Sequence, residues 1–272
     1  MTYKKSIWTL LSHIAVFLMT AVILIPLYII ITASFKNEIE IFSKPLAFWT
    51  ENSGTFNFKK LSMFPLYIWN SIKVTFLTTF IQLFTASTSA YAFAKLKWKG
   101  RDSLFMIYLM SMMIPVQVVI IPQFIVIKSL KLYDTHLALI LVGSFTAFGT
   151  FLIKQYFMTI PESLIESARV DGAKEWTVFF KLILPLSKTV LATVLIFSFR
   201  WFWNEFFSAL IYISSPELKT LPLGMTDFVG EYEVLFGPQM AAALIAIIPV
   251  MILFLSMQKY FIEGIASTGI KG

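Results

Sequence analysis

The chain has 272 residues, of which 58% are hydrophobic and 17% aromatic but only 14% charged, where an ordinary soluble domain carries about 25% charge. It contains no cysteine, which excludes disulfides, thiolate metal sites and a cysteine nucleophile. The net charge of +7 comes from basic residues flanking apolar blocks rather than forming one stripe, the pattern of a membrane protein and not of a nucleic-acid binder.

The first block, MTYKKSIWTLLSHIAVFLMTAVILIPLYIII, has an apolar run about twice the length of a signal-peptide core and no small-x-small cleavage site, so it reads as a retained first span. A bilayer core of about 30 Å needs roughly 20 apolar residues per helix. Six segments qualify: 9–33, 66–93, 103–128, 136–157, 186–212 and 239–262. The expected fold class is an all-α polytopic membrane protein with six transmembrane helices, forming a single domain over 1–272.

Charge sets the direction of insertion. Lys4, Lys5, Lys95, Lys97, Lys99, Arg101, Lys154, Arg169, Lys174, Lys181, Lys188, Lys259 and Lys271 fall on one side. They outnumber Lys36, Lys44, Lys59, Lys60, Lys128, Lys131 and Lys219 on the other. The first group is therefore cytoplasmic, with both termini inside. His13 and His136 lie far apart near the ends of apolar blocks and read as interfacial side chains, not as metal ligands.

Pro26, Pro115, Pro122 and Pro249 interrupt spans, and each removes a backbone donor. Pro115 and Pro122, seven apart, are expected on one face of the third span. A jointed helix lining a path and ordinary membrane-helix proline both fit. The small residues of TASTSA (Thr85 to Ala90), with Gly143, Ala147 and Gly149, allow close helix approach.

The segment between the fourth and fifth spans, about 159–184, is far longer and more charged than a connection needs. MTIPESLIESARVDG predicts a short helix, with Thr159 as N-cap or Pro161 at its first position. Glu162 and Glu166 sit in its N-terminal half, and Asp171-Gly172 stops it, because glycine reaches a positive φ. Leu164, Ala168 and Ile165 would share a face. A second helix follows with an apolar stripe of Trp176, Phe179, Phe180 and Ile183, and Pro185 opens the fifth span. The expectation is a cytoplasmic helix-turn-helix under the bundle; a docking surface and a partnerless interfacial segment remain alternatives.

The run Glu166-Ser167-Ala168-Arg169-Val170-Asp171-Gly172, followed by Leu184-Pro185-Leu186, resembles the EAA motif of permease subunits in ABC importers. Ser167 stands for an alanine, and Ile183 lies one residue beyond the family spacing, so Leu182 or a shifted register fills that place. Asp171-Gly172-Ala173, WNEF (Trp203 to Phe206), TLPLG (Thr220 to Gly224) and the tail QKYFIEGIASTGIKG are similar to the carbohydrate-uptake branch of the maltose type.

The resemblance covers essentially the whole chain. It implies a subunit of the bacterial cytoplasmic (inner) membrane that docks its loop into an ATP-hydrolysing partner through Glu166, Ser167, Ala168, Asp171, Gly172 and Ala173. The implied partners are a second, different permease subunit, two ATP-binding subunits holding ATP and Mg, and an extracellular substrate-binding protein. The chain itself lacks a G-x-x-x-x-G-K-[ST] loop to cradle a nucleotide, and no catalytic residue, cofactor or metal is assigned to it.

The fifth span places Arg200, Asn204 and Glu205 inside an apolar run, where a charge costs at least about 2.5–3.5 kcal/mol unless it faces a cavity or a partner. Continuous helix geometry would turn Glu205 about 140° from Arg200, so partners on other helices or another subunit are expected. For a sugar, aromatic faces and amides suit the C–H patches and hydroxyls. Gln117, Arg200, Trp201, Trp203, Asn204 and Glu205 are thus the candidate translocation path. Glu217, Asp227, Glu231 and Glu233 make the outer loop acidic, towards a binding protein or plain solvent. Two other classes compete: an ion-driven secondary transporter, for which Glu205 is the candidate ligand, and a non-transporting membrane scaffold.

Overall fold

A computed structural model of the chain describes residues 2–230 and 233–269, with side chains between residues 9 and 259. Glu231, Lys271, the side chains of Lys4 and Lys5, and most of the tail motif therefore lie outside the described residues. The described chain is helical, with no strand beyond one isolated antiparallel bridge between Val229 and Val234.

Two helices are long and apolar enough to cross a membrane by themselves. The predicted 9–33 lies within Thr2–Ser34 and the predicted 239–262 within Phe236–Gly269; both run through their prolines, Pro26 and Pro249, without ending. Phe17, Met19 and Ile23 are exposed on the first, as a lipid-facing surface requires.

Three further candidate spans are bent pairs. The predicted 103–128 is Arg101–Met110, a 3-10 turn Ser111–Met113, and Val116–Ser129, with a bend of 100°. Pro115 lacks an N–H, and Ile114 before it is held extended (φ −83°, ψ 115°), as a residue preceding proline prefers. Pro115 therefore starts the second piece while Pro122 lies inside it. The expected shared face on one span is replaced by a joint.

The predicted 136–157 is His136–Gly143 and Ala147–Thr159, bent by 41°. Its second piece is capped by Thr146, whose Oγ1 accepts the Gly149 N–H at 3.0 Å. The predicted 186–212 is Lys188–Trp203 and Phe207–Tyr212. Pro185 belongs to the preceding helical piece Leu184–Leu186, and the chain turns 81° between Glu175–Leu186 and Lys188–Trp203. The fifth predicted span thus opens at Lys188 and not at Pro185. Pro185 lies near the end of the continuous helical run Glu175–Leu186, where it removes one backbone donor, and the break falls two residues later, at Ser187.

By length and composition the described residues therefore hold two spans, or up to five if each bent pair is one. The remaining predicted segment, 66–93, lies in the 32-residue helix Phe64–Lys95. That helix is long enough, about 48 Å at 1.5 Å per residue, but its inward side is polar. Asn70, Ser71, Thr75, Thr78, Thr79, Gln82 and Ser87 are all buried.

The chain divides into two compact units, Met1–Pro65 with Met225–Ile248, and Leu66–Gly224 with Pro249–Gly272. In the first, the loop after Thr2–Ser34 is folded on itself. Buried Lys36 donates to the Lys44 and Pro45 carbonyls (2.8 and 3.2 Å), and Asn57 donates to those of Ser34 and Lys36 (3.0 and 2.8 Å). The Glu40 carboxylate accepts the Thr50 hydroxyl at 2.7 Å, which holds its carboxyl below the usual range.

The second unit contains two apolar cores. One gathers Ala90, Tyr91, Ile153, Phe157, Ile165, Val178, Phe179 and Ile183, and so ties the 159–184 segment to the helix ends beside it. The other gathers Val74, Ile120, Leu139, Ala209 and Tyr212. On the polar side of Phe64–Lys95, Asn70 donates to the Glu217 and Lys219 carbonyls (2.8 and 3.0 Å) and Ser71 accepts the Leu221 N–H (2.7 Å).

Candidate functional site

The 159–184 segment forms two short helices. The first is Glu162–Val170, with Pro161 in the N-cap place. Thr159 instead ends the preceding helix, its hydroxyl donating back to the Tyr156 carbonyl at 2.7 Å, so neither predicted start holds. Ile165 is fully buried and Ala168 packs beside it, while Leu164 stays exposed. The stop is a Schellman arrangement: Gly172 N–H donates to Arg169 O (3.0 Å) and Ala173 N–H to Ala168 O (2.9 Å). Gly172 has φ +83° and nothing within 4 Å of where a Cβ would stand. Its need is conformational, not steric.

The second helix, Glu175–Val178, continues as a π turn, Phe179–Ile183. The wider turn shifts the register, so the predicted four-residue stripe splits. Val178, Phe179 and Ile183 are buried, whereas Trp176 is 61% exposed and stacks on exposed Phe180 at 5.8 Å. Glu166, Ser167, Asp171 and Gly172 are exposed on the outer side, and Ala168 and Ala173 are half-buried.

A polar chain behind this surface escaped sequence reasoning. Tyr91 donates to Glu175 Oε2 (2.5 Å), and Arg169 Nε donates to Glu175 Oε1 (2.9 Å). Arg169 also reaches Glu162 at 4.0 Å, and Lys95 Nζ donates to the Ile160 carbonyl (2.7 Å) with Glu162 Oε2 at 3.5 Å. The Tyr91 hydroxyl, then Arg169, hold the Glu175 carboxyl below its ordinary value, and Glu175 pushes Arg169 up.

The second feature is a cavity of about 840 Å³ lined by residues of Phe64–Lys95, Val116–Ser129, both pieces of 136–159, and the WNEF break. Gln117, Arg200, Trp201, Asn204 and Glu205 line it. Trp203 does not: it is 2% exposed and stacked on Phe199 at 5.9 Å. The helix ends at Trp203, where Asn204 turns back to donate to the Arg200 carbonyl at 2.8 Å. Glu205 lies past that end and accepts the Ser208 N–H at 2.7 Å, so the 140° rotation expected of a continuous helix does not apply.

The cavity also presents Gln82, Ser198 and Thr220, which sequence reasoning missed. Ser198 donates to Gln82 Oε1 (2.6 Å) and Gln82 Nε2 to the Gly143 carbonyl (2.8 Å), joining three helices. Thr220, 5% exposed, has a hydroxyl without a partner. A rim of Phe145, Phe148, Trp201, Phe206 and Phe207 supplies flat apolar faces beside these polar groups. Such a lining fits a polyhydroxylated solute with C–H faces.

Comparisons with known proteins point the same way. Residues 82–267 match the family described as binding-protein-dependent transport system inner membrane component. The chain is 36% identical to the probable ABC transporter permease protein YurM of Bacillus subtilis, over 99% of this chain and 89% of that protein. It is 34% identical to the arabinooligosaccharides transport system permease protein AraQ of the same organism, over 80% and 78%. It is 32% identical to the sn-glycerol-3-phosphate transport system permease protein UgpE of Salmonella typhimurium, over 96% of each. A bacterial ABC transporter involved in the import of the acidic polysaccharide alginate has a chain of the same fold, with a TM-score of 0.82 at 23% identity, over 94% of this chain and 96% of that one.

Proposed function

The chain belongs to the binding-protein-dependent transport system inner membrane components, and from that premise we propose that it carries a sugar or oligosaccharide through the cavity at the WNEF break. It is the permease subunit of an ABC importer. In this reading 1–272 is one permease domain of six spans with both termini cytoplasmic, and 159–184 is its coupling loop. The partners are a second permease, two subunits that hold and hydrolyse ATP with Mg, and an extracellular binding protein.

The exposed Leu164, Val170, Trp176 and Phe180 are the surface offered to an ATP-hydrolysing subunit, with Glu166, Ser167, Ala168, Asp171, Gly172 and Ala173 framing it. Movement of the loop reaches the solute through Phe64–Lys95. Tyr91 and Lys95 hold the loop at one end, and Gln82 meets the cavity about 14 Å from Tyr91 and about 20 Å from Lys95 along the same helix. The observation that carries the reading is this joining of loop and cavity by one unbroken helix.

Affinity capture of the tagged chain from its native membrane tests it. Recovery of a P-loop ATPase and a second polytopic protein is expected; recovery of the chain alone, under conditions that keep control complexes intact, would sink the proposal.

A further inference from the structure

Arg200 stands about 18 Å along the helix that starts at Lys188, in its last turn, and lines the cavity. Its side chain has no hydrogen bond or ion pair among the described residues. The other charged group of the lining, Glu205, does not meet it; one of its oxygens is already given to the Ser208 N–H. Nearby polar groups are not counter-charges either. Gln82 and Ser198 are bonded to each other, and Thr220 is neutral with an unpartnered hydroxyl.

A guanidinium is always charged and offers a planar fork of donors that matches a carboxylate or phosphate in two parallel hydrogen bonds. The C-terminal dipole of its own helix favours a cation there but gives it no such partner. Arg200 is exposed on the cavity wall and solvated when the cavity is empty; a neutral saccharide that displaced this water would bring no counter-charge. A saccharide carrying an oxyanion would instead supply the missing half of the pair, while the aromatic rim and Thr220 receive its ring and hydroxyls.

We infer that Arg200 is a specificity-determining residue that receives an oxyanion of the transported solute, so that the solute is an acidic saccharide. The inference rests on the permease reading above. Two sources share this chemistry, a uronate carboxylate and a sugar phosphate ester.

The test uses the whole importer with its binding protein, reconstituted in vesicles and supplied with a mixture of neutral oligosaccharides, uronate-containing oligosaccharides and sugar phosphates. Vesicle contents are read by mass spectrometry. The expected result is ATP-dependent enrichment of acidic members, falling about ten- to a hundredfold in Arg200→Gln. Arg200→Lys, which keeps the charge but loses the fork, should fall between. Whether uronates or phosphates are enriched identifies the source.

Enrichment of neutral members alone, or no enrichment by an intact ATP-hydrolysing complex, overturns the inference. So does acidic uptake untouched in Arg200→Gln, which would assign the counter-charge to the second permease. Failure to recover an ATPase with the chain is seen before any saccharide is added, and would overturn the permease reading itself.

Discussion

The Tyr91 hydroxyl donates to the Glu175 carboxylate at 2.5 Å, across 84 residues of chain. One partner lies near the end of the long helix Phe64–Lys95 and the other begins the second helix of the loop, so the bond fastens two elements that the backbone does not join nearby. Arg169, bonded to the other oxygen of the same carboxylate, makes the fastening two-sided.

If the loop couples to the cavity as proposed, removing this bond should weaken transport without unfolding the chain. Tyr91→Phe and Glu175→Gln are each expected to cut uptake several-fold at unchanged membrane level. Their coupling in a double-mutant cycle of thermal unfolding should be about 1 kcal/mol, below the roughly 1.5–3 kcal/mol of hydrogen bonds to charged groups because Glu175 is half exposed. Additive effects would show that the two side chains do not act together.

The pH dependence of this fastening has a definite sign. The Glu175 carboxyl is held low by Tyr91 and Arg169, so its contribution is complete above the ordinary carboxylate value of about 4.3 and is lost as pH falls below it. The difference in melting temperature between wild type and Glu175→Gln should be flat from pH 8 to about 5 and shrink in stronger acid. A gap that instead closes between pH 8 and 6 would contradict the assignment.

Gly172 is held at φ +83° with open space around it. Gly172→Ala should destabilise the loop by about 1 kcal/mol, and Gly172→Asn by less, since asparagine tolerates the left-handed region. Gly172→Asp adds a charge to the turn that we propose docks on an ATPase, and is expected to abolish transport while the chain still inserts. Normal uptake by a stably expressed Gly172→Asp would count against a coupling role for the turn.

The two tryptophans beside the cavity should part company. Trp203→Ala empties a buried site and should cost about 3–5 kcal/mol, read as loss of folded protein in detergent. Trp201, 64% exposed on the lining, should tolerate alanine in stability and lose uptake. Equal melting temperatures for both variants would overturn the assignment.

Gly143 illustrates packing in the cavity wall. A Cβ there would stand 2.4 Å from Thr78 Cγ2 and 2.6 Å from Phe202 Cε1. Gly143→Ala should therefore destabilise by about 1–3 kcal/mol through overpacking, measured by thermal unfolding. It should also disturb Gln82, which donates to the Gly143 carbonyl. A neutral effect would mean that these helices separate freely.

What the sequence determined by itself is what depends on neighbours along the chain. The two uninterrupted apolar helices, the charged segment between the fourth and fifth predicted spans, and the glycine stop at Gly172 all follow from local apolar length, charge and φ preference. Even the joint at Pro115 was signalled by a missing N–H, though not its 100° angle.

Only the tertiary structure decided which side chains meet. Trp203 and Trp201 are two residues apart in one helix and equally aromatic, so they point about 200° apart. Which face became core and which lines the cavity was set by the helices packed around them. The Ser198–Gln82 bond spans 116 residues and the Tyr91–Glu175 bond 84. Such pairings arise from how bent helices pack against one another, and no local propensity encodes the packing partner of a side chain so distant along the chain.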